Sequence, residues 1–274
     1  MKGFNFNLLD EPSEHGFMPN MVCYILDHNH EGPRPMVLIC PGGGYWCYAE
    51  HQEGERTAMA YLAAGYNAAL VRYRVRPHKF PDALHDLATA IRICREHAEE
   101  WHINPHQIVV CGFSAGGHLA ASVSTLWNNP EIFSSEEITS EIYRPDASVL
   151  CYPVITSGEK AHKDSFINLI GSNDEHDQLW ELLSLEKQVD ENTPPAFLWH
   201  TFEDKDVPME NSIYYASALR DKGVPCELHI YTGGPHGMAL VTKECPRTHS
   251  IFARNYNWIS MSIDWISDLF GIDR

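Results

Sequence analysis

The sequence has no long apolar segment, because none of its hydrophobic runs approaches the roughly 18 residues that a membrane-spanning helix needs. It is also poor in positive charge: 20 Lys and Arg stand against 37 Asp and Glu, which gives a formal net charge of −17. A surface this acidic repels phosphate backbones and strongly anionic ligands, so we expect no nucleic acid partner and favour neutral substrates. The amino terminus lacks an apolar signal core, which predicts no membrane association and a cytoplasmic location.

Paired cysteine motifs are missing as well. The eight cysteines are scattered without a CxxC pair, and disulfide frameworks are typical of much shorter secreted chains. Cys111 and Cys151 lie in apolar runs and are predicted to be small core residues. His28 and His30 are the closest histidine pair, but no cluster of cysteines or carboxylates precedes them, so a polar turn is favoured over a metal site. We therefore expect neither a metal nor a cofactor.

What the chain does have is a globular composition, with 44% hydrophobic and 21% charged residues among 274. Short apolar runs alternate with amphipathic segments, which predicts an α/β fold with a mostly parallel sheet and helices on both faces. The predicted strands are 21–27, 36–40, 67–75, 107–111, 147–152, 196–200 and 225–231, and the predicted helices are 51–65, 81–101, 114–126, 210–222 and 255–270.

One segment, residues 153–195, breaks this alternation. It is polar and much longer than the usual connection in an α/β unit, with a short helical piece near 179–185. We expect a cap over a functional site, within a single domain of residues 1–274. Trp180, Leu182 and Leu183 would give the cap a partly apolar roof. A long loop without function is the alternative.

The clearest chemical motif is the G-x-S-x-G sequence at 112–116, which directly follows a predicted buried strand and directly precedes a predicted helix. Glycines two residues on either side of Ser114 remove side chains that would obstruct a tight turn. The amino terminus of the following helix stabilises a developing negative charge. Ser114 is therefore predicted to be a catalytic nucleophile, and a plain glycine-rich turn is the alternative.

A nucleophilic serine needs a histidine base and a carboxylate that orients it. After a strand-turn-helix nucleophile the partners follow in the order acid, then histidine, each in a loop after a later strand. His236, flanked by glycines and a proline after the strand 225–231, is predicted to be the base. The loop after the strand 196–200 offers three acids, Glu203, Asp204 and Asp206, and the residue pattern alone does not choose among them.

Five stretches together resemble one family. They are CPGGGYW at 40–46, GFSAGGHLAA at 112–121, CYPV at 151–154, PPAFLWHTFEDKDVP at 194–208 and YTGGPHG at 231–237. Spread over most of the chain in the family's order, they resemble the α/β-hydrolases, and more closely the bacterial carbohydrate esterases grouped with acetylxylan and feruloyl esterases. The resemblance implies the α/β-hydrolase fold and a Ser-His-Asp triad.

The resemblance also implies further site residues. The family's H-x-x-x-D-x-x-V-P motif would place the acid at Asp204, with Asp206 as the fallback. The oxyanion donors would be backbone N–H groups of Gly43 or Gly44 and of Ala115. Tyr45 is a further candidate donor, because Pro41 stands where the lipase form of the loop has histidine and leaves the donor unspecified. A phosphate-binding loop is disfavoured because no GK[ST] sequence follows.

Aromatic residues stand beside this glycine loop. Tyr45 and Trp46 are predicted to bind substrate by stacking on a sugar ring, with Tyr48 as a third candidate, although ordinary packing is the alternative. His118 is predicted to have a packing or hydrogen-bonding role.

The expected function is hydrolysis of short acyl esters, above all acetyl, on xylo-oligosaccharides or other carbohydrates. The expected partner is thus a small ester substrate, and the sequence indicates no oligomeric state. A general short-chain carboxylesterase or lipase is the main alternative. A serine peptidase and a non-catalytic binding protein on a hydrolase scaffold are less favoured, the latter because all three triad residue types are present.

Overall fold

One eight-stranded sheet organises the part of the chain that the computed structural model describes, which is residues 1–27, 32–242 and 256–272. The histidine pair at 28 and 30 lies outside the described residues. The strands are β1 Lys2–Asn7, β2 Asn20–Ile25, β3 Arg34–Cys40, β4 Asn67–Arg72, β5 Ile103–Phe113, β6 Ala147–Cys151, β7 Ala196–Thr201 and β8 Cys226–Tyr231.

The strand order is β1-β2-β4-β3-β5-β6-β7-β8. β1 and β2 pair antiparallel with each other, as do β2 and β4, whereas every pair from β4 to β8 is parallel. The central strands are buried along their length, because a parallel sheet covered on both faces needs apolar residues at every position. The carboxyl ends of β5, β7 and β8 therefore meet at one edge of the sheet.

Helices cover both faces of the sheet. They are α1 Glu50–Glu53, α2 Glu55–Ala63, α3 Asp82–Glu96, α4 Ala115–Leu126, α5 Ser135–Ser140, α6 Lys163–Ile170, α7 Gln178–Leu182, α8 Glu210–Asp221 and α9 Trp258–Phe270. Alternate residues of β3 enter different cores: Leu38 belongs to the core that contains residues of α3, α4 and α8, whereas Val37 and Ile39 belong to the core that contains residues of α2 and α9. The predicted layered architecture is confirmed.

Three local features differ from the predictions. The predicted helix 51–65 is broken at Gly54, which lies between α1 and α2 and packs so tightly that a Cβ there would collide with the Glu50 carbonyl oxygen. The predicted helix 81–101 ends at Glu96. β1 is absent from the predicted strands, because this edge strand carries only two apolar side chains, Phe4 and Phe6, which pack against Trp101.

The cysteines behave as predicted within the described residues. All seven there are unpaired, and Cys111 and Cys151 are fully buried on neighbouring strands. Across the same residues, no helix combines the length and the apolar character needed to cross a membrane.

Candidate active site

Ser114 occupies a strained turn between β5 and α4. Its φ of 53° and ψ of −118° lie outside the regions that L-residues prefer, and such strain persists only where the surroundings enforce it. The surroundings here are backbone: Ser114 N–H donates to Cys151 C=O at 3.0 Å. A Cβ on Gly112 would collide with the Gly116 carbonyl, and one on Gly116 with the Cys40 carbonyl. The two motif glycines are thus required by close backbone packing.

The structure brings the three predicted triad residues together. The Ser114 hydroxyl and His236 Nε2 are 2.7 Å apart, and His236 Nδ1 is 2.7 Å from Asp204 Oδ2. The three side chains follow β5, β8 and β7, whose carboxyl ends lie at the same edge of the sheet. Ser114 and Asp204 are buried, with 8% and 6% of their surface exposed. This geometry suits a serine whose proton is taken by an oriented imidazole.

The environment of Asp204 favours the carboxylate. Burial alone would raise its pKa, but hydrogen bonds and positive charge from His200 and His236 together hold the pKa of Asp204 well below its usual range. Its Oδ1 accepts the backbone N–H groups of Asp206 and Val207 at 3.0 and 2.9 Å. Asp206, the fallback acid, thus supports Asp204 through its backbone, while its own side chain is exposed.

The glycine loop after β3 lies against the nucleophile. A Cβ on Gly42 would be 2.9 Å from the Cβ of Ser114, so only glycine permits this approach. The Gly42 N–H donates to Glu53 Oε2 at 2.7 Å and is therefore occupied. By contrast, the N–H groups of Gly43, Gly44 and Ala115 donate no hydrogen bond within the described residues. These three are the predicted oxyanion donors, and Gly43 and Gly44 line the same cavity as Ser114.

Two residues that the sequence analysis missed connect the glycine loop to the histidine loop. Glu53, only 2% exposed, accepts the Tyr152 hydroxyl at Oε1 at 2.7 Å. The Tyr152 oxygen in turn accepts the Ala239 N–H at 3.0 Å, and the Tyr152 ring lies edge-on to that of His236 with centroids 5.0 Å apart. No local sequence signal marks Glu53, because acidic residues are common in the first turn of exposed helices.

Tyr45 and Trp46 are neighbours in sequence with opposite environments. Tyr45 is 2% exposed and does not line the cavity, so a sugar-stacking role for its ring does not fit its position. Its hydroxyl lies 2.9 Å from Nδ1 of His118, whose Nε2 is 3.0 Å from Leu183 C=O. Burial lowers the pKa of His118 to about 4, so the neutral ring donates to Leu183 and accepts from Tyr45. This agrees with the predicted hydrogen-bonding role of His118.

Trp46 is 59% exposed and lines a cavity of about 600 Å³ that also contains Ser114 and His236. The guanidinium of Arg76 lies 4.8 Å from the Trp46 ring centroid, a cation–π contact. Arg76 also donates to Asn168 Oδ1 at 3.3 Å, and the Asn168 amide donates to Gly44 C=O at 2.9 Å. One wall of the cavity is therefore a connected set of polar and aromatic groups.

The segment 153–195 supplies part of this cavity, but not the predicted apolar roof. Trp180 and Leu183 are 3% and 0% exposed and pack into the core, where Trp180 stacks on Phe166. The side chains that the segment presents to the cavity are those of His162, Asp164, Ile167 and Asn168. The expectation of a roof formed by Trp180, Leu182 and Leu183 is wrong, because these side chains pack against the core and do not line the cavity. Ile167 is the apolar side chain of the segment that lines it.

Comparisons with known proteins show which proteins the chain resembles. The family model BD-FAE matches residues 24–219. Endo-1,4-beta-xylanase B of Butyrivibrio fibrisolvens is 38% identical over 89% of the chain, and an acetylxylan esterase of Xylanibacter ruminicola is 35% identical over 88%. The chain spans only 39% and 47% of these two relatives.

A solved structure matches over nearly the full length of both chains. The acetyl ester-xyloside bifunctional hydrolase of Caldicellulosiruptor lactoaceticus superposes with a TM-score of 0.85 and 35% identity. The match covers 100% of this chain and 98% of that one. This likeness confirms the predicted fold class.

Proposed function

The chain belongs to the BD-FAE family of α/β-hydrolases, and on that basis we propose that it is a serine ester hydrolase that removes short acyl groups, above all acetyl, from carbohydrates. The observation that carries the proposal is the hydrogen-bonded series Ser114, His236 and Asp204, with 2.7 Å at both contacts. A serine hydroxyl is a weak nucleophile unless a base removes its proton, and this series provides that base and its orientation.

In the proposed first step, Ser114 Oγ attacks the ester carbonyl carbon while His236 Nε2 accepts the hydroxyl proton. Asp204, which accepts from His236 Nδ1, fixes the tautomer of the ring and stabilises the imidazolium. The carbonyl oxygen becomes negatively charged and accepts hydrogen bonds from the N–H groups of Gly43 or Gly44 and Ala115. These donors are preorganised and add to the field of the α4 amino terminus.

The tetrahedral intermediate then collapses. The bond to the leaving alcohol breaks as His236 gives its proton to the alcohol oxygen, which leaves an acyl ester on Ser114. A water molecule attacks this ester while His236 accepts one of its protons. Collapse of the second intermediate releases the carboxylic acid and returns the proton to Ser114 Oγ, so the enzyme is regenerated without a cofactor.

The proposed carbohydrate substrate rests on the character of the cavity. Its wall combines the exposed Trp46 ring with hydrogen-bonding groups of Arg76 and Asn168, a combination suited to a ring with one apolar face and many hydroxyl groups. The net charge of −17 favours a neutral substrate. Two of the matched proteins are named for activity on acetylated xylan or acetyl ester-xylosides, which further supports a carbohydrate substrate.

We also propose that the segment 153–195 acts as a cap over the site, within a single domain.

The second candidate is a general short-chain carboxylesterase, since the same three residues serve either substrate class. A panel of acetylated xylo-oligosaccharides, feruloylated oligosaccharides and aryl esters of increasing acyl length separates the two. We expect the highest kcat/KM on acetylated oligosaccharides, and rates on aryl esters that fall beyond about four acyl carbons in a cavity of limited size. Ser114→Ala is the control for the assay. A preference for long acyl chains would exclude the carbohydrate assignment.

A further inference from the structure

Two of the large apolar side chains that the structure leaves exposed, Trp46 and Phe202, border cavities that contain His236. Among the described residues only seven large hydrophobic side chains are exposed, and apart from Met1 the two most exposed are Trp46 at 59% and Phe202 at 65%. Each lines a cavity that also contains His236. Exposed aromatic rings are costly in water, so two of them beside one base indicate a binding surface.

Phe202 lies in a second cavity, of about 670 Å³. Among the described residues, this cavity and the one that contains Trp46 have only His236 and Asp206 in common, so they meet at the triad. The backbone around Phe202 is fixed: its N–H donates to Tyr231 C=O at 2.8 Å, and the Thr201 hydroxyl donates to Gly234 C=O at 2.7 Å. The exposed ring is therefore attached to a backbone that hydrogen bonds hold in place.

The chemistry of the second cavity resembles that of the first. An exposed aromatic face is surrounded by side chains that accept or donate hydrogen bonds, here Glu203, Lys205 and Asp206. An aromatic face stacks on the C–H face of a sugar ring, while the neighbouring polar groups bind its hydroxyls. The acidic pair Glu203 and Asp206 disfavours an anionic occupant.

We propose that Phe202 forms a second sugar subsite, so that an acetylated oligosaccharide crosses the triad with one neighbouring sugar against Trp46 and another against Phe202. This inference rests on the proposed function and extends it. An acetyl group is far smaller than either cavity, which leaves both of them available to the carbohydrate on the two sides of the esterified sugar. The enzyme would then prefer oligosaccharides with sugars on both sides of the ester to acetylated monosaccharides.

The test compares Phe202→Ala with Tyr214→Ala, since Tyr214 is an exposed aromatic residue, 40% accessible, that lines neither cavity. The measured quantity is the ratio of kcat/KM on acetylated xylotetraose to that on an aryl acetate, which cancels general damage to the triad. We expect Phe202→Ala to lower this ratio roughly threefold to tenfold, and Phe202→Trp to restore it. Tyr214→Ala should leave it unchanged.

A binding measurement separates this inference from the proposed function. In the Ser114→Ala background, adding Phe202→Ala should weaken the affinity for xylotetraose, measured by calorimetry, by a similar factor. Equal affinities with and without Phe202 would overturn the second subsite even if the enzyme hydrolyses acetylated sugars. A loss confined to esters with bulky acyl groups would also overturn it, because the cavity would then hold the acyl group. Absence of all ester hydrolysis in the wild-type protein would instead refute the proposed function.

Discussion

The nucleophile turn, residues 112–116, and the outer wall, formed by Trp46, Arg76 and Asn168, border the same cavity but are held in different ways. The turn is enclosed by backbone atoms, with glycines where any side chain would collide. The outer wall is held by side-chain contacts, and its Trp46 ring is mostly exposed. The comparison teaches that the proposed nucleophile is marked by its local sequence, whereas the groups proposed to choose the substrate are brought together only by side-chain contacts between distant segments.

The largest expected effect concerns Asp204, the proposed acid of the triad. Asp204→Asn should lower kcat/KM by about 10⁴-fold, because an amide no longer stabilises the imidazolium or the correct tautomer. Asp206→Asn should lower it less than tenfold, since only the backbone N–H of Asp206 contacts Asp204. Steady-state kinetics on an aryl acetate measures both. If Asp206→Asn proved the more damaging change, Asp204 would not be the acid.

The nucleophile turn could be predicted because its local sequence specifies its backbone conformation. Two glycines around Ser114 after a run of apolar residues describe a strained turn at the end of a buried strand, which is what the structure contains. The parallel strands were equally visible as continuous apolar runs. Asp204 was different: three acids shared one loop, and only the family resemblance placed the acid where the structure shows the contact with His236.

The residues that could not be predicted depend on tertiary contacts. Glu53 is ordinary in sequence and becomes significant only because Gly42 and Tyr152, 11 residues before it and 99 residues after it, converge on its two oxygens. Tyr45 and Trp46 carry the same aromatic signal, yet one is buried and the other exposed. The edge strand β1 gave too few apolar positions for its alternation to stand out.

The second largest expected effect is a pH dependence of stability caused by His118, a buried residue of α4. His118 has a pKa of about 4 in the folded protein and one near 6.5 when unfolded, so the unfolded chain binds more protons between these values. Stability should therefore be full above about pH 6.5 and fall as the pH is lowered toward about 4, by about 3 kcal/mol from this residue alone.

The measurement is urea unfolding of the wild type and His118→Asn across that pH range. The variant should be less stable at pH 7, because it loses hydrogen bonds to Tyr45 and Leu183, but its stability should depend less steeply on pH. Equal slopes in the two proteins would show that His118 becomes protonated without opposing folding.

A similar effect on stability, and a smaller one on activity than that of Asp204→Asn, is expected at Glu53, which connects the glycine loop to the histidine loop. Glu53→Leu leaves the Gly42 N–H and the Tyr152 hydroxyl without their buried acceptor, at a cost of about 1–3 kcal/mol each. Displacement of the glycine loop should also lower kcat by roughly tenfold to a hundredfold with little change in KM, because oxyanion donors act mainly in the transition state. Glu53→Gln keeps one acceptor oxygen, so its stability and its kcat should lie between those of the wild type and Glu53→Leu. Wild-type kcat in Glu53→Leu would show that the loop is positioned without this carboxylate.

The smallest effects compare two adjacent residues. Tyr45→Phe removes a buried hydroxyl that contacts His118, so the free energy of unfolding should fall by about 1 kcal/mol while KM for acetylated oligosaccharides stays unchanged. Trp46→Ala should do the reverse: its exposed ring adds less than about 0.5 kcal/mol to stability, but KM should rise roughly threefold to tenfold. Chemical denaturation gives the free energy of unfolding of each variant, and steady-state kinetics gives its KM. A rise in KM for Tyr45→Phe that matched that of Trp46→Ala would mean that the buried and exposed sides of the glycine loop act as one unit, and the proposed separation between groups that hold the fold and groups that choose the substrate would fail.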